Sequence, residues 1–145
     1  MTGEIIPLEE LKDEAFSSGV MGQGAGIEPS EGRVFAPVDG TVSTLFPTLH
    51  AVGITSDNGA EILIHVGMDT VQLNGEGFIA HVNQGDRVKR GQLLLDVDLK
   101  LLREKGYSTQ TPVLVVNPDD MSEIQVTDQK QTAVNDDFIT VHFKR

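Results

Sequence analysis

The sequence predicts an all-β fold whose strands are joined by tight turns. Three observations predict it. Fifteen glycines and six prolines punctuate 145 residues, the apolar residues gather in short β-branched runs, and only one segment carries helical periodicity. A chain of this length reads as a single domain, residues 1–145, long enough to bury a sizeable core.

The first 32 residues are the least regular. Ile5-Ile6 suits a strand, and residues 8–16 suit either a turn of helix or an irregular acidic loop. The run Gly19-Val-Met-Gly22-Gln-Gly24-Ala-Gly26 holds too much glycine for a helix. No helix pattern follows it, so it is not a phosphate-binding loop. Its glycines fit close backbone approach beside a functional surface, or else a flexible linker.

From Arg33 the pattern tightens. Val34-Phe35-Ala-Pro37-Val-Asp39-Gly40-Thr-Val42 reads as a strand, a proline turn closed by Asp-Gly, and a second strand through Phe46. Residues 85–97 repeat this arrangement. Such pairs recur in barrel-sandwich domains that carry biotin or lipoate on an exposed lysine, usually beside methionine. No Met-Lys occurs here, and no cofactor is expected. Residues 98–105 form the one credible α-helix, with Asp98 as N-cap and Gly106 as terminator, and it should cover the sheets. Strands are expected at 112–116, 123–126 and 138–143, with a polar connection over 133–137.

The densest stretch is Glu61-Ile-Leu-Ile-His65-Val-Gly67-Met-Asp69-Thr-Val71. Four apolar residues around His65 indicate a buried strand. Its imidazole is therefore either a packed core group or a reactive group held rigidly. A second histidine, His50, heads another β-rich run, and Ser56-Asp-Asn58-Gly59 lies between them as a hairpin signal. Pairing of 50–55 with 60–66 would carry the two rings on neighbouring strands.

Composition narrows the function. Net charge −11 argues against nucleic acid, which needs Lys and Arg to displace counterions, and suits basic protein partners as well as plain solubility. With no cysteine, disulfides, thiolate metal sites and a cysteine nucleophile are excluded. No apolar run is long enough to span a bilayer and no basic-then-apolar leader opens the chain, so a cytoplasmic location without membrane insertion is expected.

Ala36-Pro-Val-Asp-Gly40, Phe46-Pro-Thr48-Leu-His50-Ala-Val-Gly53, the 61–71 run, Leu73-Asn-Gly-Glu-Gly-Phe78 and Thr111-Pro-Val113 followed by Asn117 together resemble the glucose-type IIA domain of the bacterial phosphoenolpyruvate-dependent sugar phosphotransferase system. The resemblance covers nearly the whole chain in order. It implies an antiparallel β-sandwich or flattened barrel, a barrel-sandwich hybrid with a duplicated hybrid motif and one or two short helices. It also implies a phosphotransferase component that takes a phosphoryl group from the histidine-containing phosphocarrier protein and passes it to a cysteine of a IIB domain.

On that resemblance His65 is the phosphoryl acceptor and His50 donates a hydrogen bond to the phosphoryl oxygens. Thr48 fixes the tautomer of His50, and the Gly67 backbone serves His65 in the same way. Asp69 either sits at the rim, repelling the phosphoryl or attracting a basic partner, or serves only an Asx-type turn. Phe16, Val20, Met21, Phe46, Leu63 and Val71 match apolar docking positions around the histidines. Core packing is the alternative for each, and is preferred for Leu63. Glu14 and Ala15 depart from the apolar pair often found there. His81 and His142 match no family role and are expected to be partly exposed structural residues. No metal is expected, since the His-x-His pair of lysostaphin-like zinc hydrolases is missing. A regulatory binding module that responds to phosphorylation is the other reading. The late start relative to longer members suggests a short free-standing protein or a domain cut from a fused permease. The Leu102 to Val113 tract looks somewhat like IIA domains of β-glucoside, sucrose or trehalose transporters.

Overall fold

The computed structural model describes residues 1–127, 130–132 and 139–143. The chain opens with β1 (Gly3–Pro7), a 3-10 turn at Leu8–Glu10 and a single-turn helix, α1 (Glu14–Ser17). It continues through β2 (Gln23–Pro29), β3 (Arg33–Phe35), β4 (Gly40–Leu45), β5 (Ala51–Ser56) and β6 (Glu61–His65). Beyond a 3-10 turn at Thr70–Leu73 come β7 (Phe78–Ala80), β8 (Arg87–Val88), β9 (Leu93–Val97) and the helix α2 (Leu99–Glu104). The last elements are β10 (Thr111–Val115), β11 (Met121–Val126), β12 (Gln131–Thr132) and β13 (Ile139–Phe143). The expected connection at 133–137, and Phe138 at the expected start of the last strand, lie outside the described residues.

Eight strands form one antiparallel sheet in the order β12-β1-β2-β10-β6-β5-β4-β8, and β3-β9-β7 form a second sheet of three. Val42, Val52, Ile54, Ile64 and Val113 of the large sheet meet Val34, Leu94, Leu95 and Val97 of the small one in a single core. The two sheets therefore pack face to face. Among the described residues they do not close into a barrel, so of the two expected forms the sandwich is the one observed. Both edges of the large sheet, β12 and β8, are two residues long, which leaves little free backbone for unwanted pairing.

The two turn-and-strand units read from the sequence interlock. β3 pairs with β9 and β4 with β8, while Ala36 and the 91–92 turn exchange backbone hydrogen bonds of 2.8 Å where the chain passes from one sheet to the other. α2 begins as expected, with the Asp98 carboxylate accepting from Leu101 N at 3.0 Å, and buries Leu99 and Leu102 in the core. Gly106, at φ 86°, ends it.

The glycine-rich run is not a linker. From Gln23 it becomes β2, an interior strand between β1 and β10. A Cβ on Gly24 would lie 2.2 Å from the Val113 carbonyl oxygen, and one on Gly26 would lie 2.4 Å from the Leu11 side chain. Close approach is thus the reason for those glycines. β10 is covered on both faces. Val113 points into the sandwich, while Leu114 points outward into a smaller cluster with Leu11, Phe16 and Met68, beneath the segment that carries α1. That outer cluster adjoins the candidate site.

Candidate functional site

The β5–β6 hairpin forms as expected, with Ala51 opposite His65 and Thr55 opposite Glu61. Its loop places only Gly59 at positive φ, 101°, with Gly59 N bonded to Ser56 O. One further rung, Val66 N to His50 O at 2.7 Å, extends the ladder past the strand ends and fixes His50 beside His65. The rings meet edge to face, with centroids 4.8 Å apart and planes at 81°.

His50 is presented by the turn at Phe46–Leu49, closed by Leu49 N to Phe46 O, with Leu49 held at φ 60°. A left-handed leucine costs about 1–3 kcal/mol, and such strain is typical of residues that aim a functional group. Thr48 Oγ1 lies 2.6 Å from His50 Nδ1. With the hydroxyl donating, His50 keeps its proton on Nε2 and can donate from there. His65 Nδ1 lies 2.8 Å from the Gly67 carbonyl oxygen. A carbonyl only accepts, so Nδ1 carries the proton and Nε2 keeps a free lone pair.

The loop behind that carbonyl is well braced. Gly67 has φ 77°, and a Cβ there would lie 2.5 Å from the Thr70 methyl and 2.8 Å from Ser108 O. Met68 N donates to Ser108 O at 3.1 Å, and the Thr70 hydroxyl donates to Val66 O. Asp69 is exposed at φ 60°, and its side chain caps nothing in the 3-10 turn it precedes. The Asx-type alternative therefore does not account for it.

Burial governs protonation. Burial, then repulsion from His65, lowers the His50 pKa to about 4. For His65 burial again outweighs the opposing pull of the Gly67 carbonyl, of Asp13 and of Asp69, leaving its pKa below the ordinary 6.5. Both rings are neutral at pH 7. Among the described residues, no three His, Cys, Asp or Glu side chains are grouped so as to hold a metal ion.

Apolar groups wall the pair. Phe16 is buried against His65, centroids 4.9 Å apart, and the half-buried Phe46 meets His50 edge-on at 5.4 Å.

Residues 1–121 match the family described as phosphoenolpyruvate-dependent sugar phosphotransferase system, EIIA 1. This chain belongs to that family. The EIIA chain is 52% identical over 134 residues to the PTS system beta-glucoside-specific EIIBCA component of Halalkalibacterium halodurans, a match covering 92% of this chain and 21% of the relative. It is 48% identical to the PTS system glucose-specific EIIA component of Oceanobacillus iheyensis, covering 86% of this chain and 76% of that one. Against the beta-glucoside relatives it spans only about a fifth of their length, 21% and 20%. The solved glucose permease IIA of Mycoplasma capricolum superposes with a TM-score of 0.88 at 36% identity, covering 97% of this chain and 89% of that one. The glucose-type resemblance and the sandwich fold both stand.

Of the apolar positions named from the sequence, Val20, Met21 and Val71 are exposed, at 82%, 43% and 48%. They stand in the segments that flank Phe16 and Asp69. Leu63 differs from the preferred core reading: it is half-buried, because strand alternation sends Ile62 and Ile64 inward and leaves Leu63 on the face of His65. His81 is partly exposed and bonds Asp96 on the adjacent strand at 2.6 Å; His142 stands in β13. Two contributors were missed. Asp13 caps α1 through Ala15 N and bears on the charge of His65, and its signal was an acid three residues before Phe16. The Ser108 carbonyl braces Met68, and a backbone acceptor leaves no signal in sequence. Among the described residues no helix is long and apolar enough to cross a membrane.

Proposed function

We propose that this EIIA chain, as a single domain over residues 1–145, carries a phosphoryl group on Nε2 of His65. The donor is the histidine-containing phosphocarrier protein, and the acceptor is a cysteine of a IIB domain. The observation that carries this reading is the bond from His65 Nδ1 to the Gly67 carbonyl, which leaves Nε2 as the nucleophile beside His50.

The Nε2 lone pair attacks phosphorus, and the N–P bond to the carrier's ring breaks with its electron pair returning to that ring. His65 then holds phosphate on Nε2 while Nδ1 keeps its proton against Gly67. The ring is thus cationic, and it leaves as neutral imidazole when the IIB thiolate attacks in turn. His50 Nε2–H donates to a phosphoryl oxygen, where charge is spread during transfer. Phe16 and Phe46 keep water from the N–P bond. Relatives with EIIB, EIIC and EIIA in one name support a IIB partner, fused or separate, and the transfer is proposed to take place in the cytoplasm.

The test is reconstitution. The chain is incubated with phosphoenolpyruvate, the general phosphotransferase enzyme and the phosphocarrier protein, then mixed with a IIB domain. Labelling followed by discharge to IIB is expected. A chain that takes no label while the carrier is fully phosphorylated would overturn the reading.

A further inference from the structure

His65 is supported from two sides, and both supports run to one short segment between α2 and β10. On one side the Ser108 carbonyl accepts from Met68 N and holds the loop whose Gly67 carbonyl fixes the His65 tautomer. On the other, the Gln110 side chain reaches across 98 positions of sequence, its Oε1 accepting from Lys12 N at 3.0 Å. Lys12 immediately precedes Asp13, the cap of α1, and α1 carries Phe16 onto the ring. Gln110 is 8% exposed, and its own N–H lies 3.3 Å from the Ser108 hydroxyl, which ties the two supports together. Leu11, Phe16, Met68 and Leu114 fill the space between them.

We propose that Gln110 is a positioning residue for phosphoryl transfer: its carboxamide oxygen holds the Lys12–Phe16 wall in register with the Gly67 loop across His65. Lys12 is exposed and its bond to Gln110 is only part-buried, so the variant is expected to fold. What is lost is the placement of Phe16 over the ring, and small misplacements near a reacting atom are costly. The inference rests on His65 being the phosphoryl acceptor.

The test combines Gln110→Leu, which keeps the bulk and removes the acceptor, with Phe16→Ala and the double variant. In Q110L the Lys12 amide should exchange faster while the β5–β6 amides keep their protection. The His65 ring resonances, shifted by Phe16, should move toward their F16A positions. Transfer from the phosphocarrier should slow roughly tenfold, and in the F16A background Q110L should add less than about a twofold further loss. An unmoved His65 resonance with wild-type transfer, or effects of Q110L and F16A that multiply, would overturn the proposal. Should Q110L fail to fold, Gln110→Ser, too short to reach Lys12, goes through the same measurements. A wild-type chain that takes no phosphoryl at His65 defeats the underlying reading instead, whereas the resonance and exchange data judge the clamp independently of it.

Discussion

The ring of His50 stands at 81° to that of His65 with centroids 4.8 Å apart, in a site where burial keeps both imidazoles neutral. Desolvation opposes a proton on either ring, and a second proton would also be repelled by the first. Neutrality has a direct kinetic consequence, because only an unprotonated Nε2 can attack phosphorus.

The acid-side fall in acceptance by His65 should therefore have its midpoint below pH 6.5, where a free histidine is already half protonated. Stability follows the same sign. The unfolded chain binds protons at His50 near pH 6.5 while the folded chain resists until about 4, so the unfolded state holds more protons across that window and folding stability drops as pH falls through it. Chemical denaturation from pH 7 to pH 4 should show this slope reduced in His50→Gln; an unchanged slope contradicts the burial argument.

The Thr48 to His50 bond of 2.6 Å sets the donor that faces the phosphoryl group. His50→Gln should still be labelled but should pass phosphate to IIB about 10²–10³-fold more slowly, the usual loss for one preorganised donor. Thr48→Ala should fall between that variant and the wild type, because the ring remains but its tautomer is released. Rapid-quench transfer rates check both, and a T48A rate equal to wild type would leave the tautomer argument without support.

Gly67→Ala forces a side chain into φ 77° and against the Thr70 methyl and Ser108 O. Destabilisation of about 2–4 kcal/mol is expected from strain and overpacking together. The carbonyl that holds His65 Nδ1 must also shift, so labelling of the folded fraction should slow. Thermal unfolding alongside single-turnover labelling separates the two effects.

Much of this was legible in the sequence where local chemistry dominates. Ser56-Asp-Asn-Gly between apolar runs specifies the β5–β6 hairpin, and Asp98 with Gly106 specifies α2. β2 was hidden because its glycines answer to neighbours far along the chain, the Val113 carbonyl and Leu11, rather than to a turn. Three-residue β7 is too short to show any period. At the site, the histidine pair and Thr48 lie in one compact motif and were readable. Asp13 and the Ser108 carbonyl act from distant segments and were not. Leu63 misled because a continuous apolar run conceals the alternation that turns it toward His65.

Val71 is 48% exposed in the turn after Asp69, a position suited to docking and not to packing. Val71→Glu should change stability by no more than about 0.5 kcal/mol. It should weaken transfer from the phosphocarrier and to IIB alike, since a charge in the desolvated centre of either interface goes unpaired. Salt should slow wild-type association through the acidic surface with little effect on the chemical step. A folded V71E with wild-type rates in both directions would place the docking face elsewhere.

The most direct measurement is the position of the phosphoryl group on the labelled chain, by phosphorus NMR and fragment mass spectrometry under basic conditions. Because Nδ1 of His65 is bonded to the Gly67 carbonyl, the account predicts one acid-labile phosphoryl group, on Nε2 of His65, and none in His65→Ala. Phosphate on Nδ1, on His50, or on an acid-stable oxygen ester would contradict it.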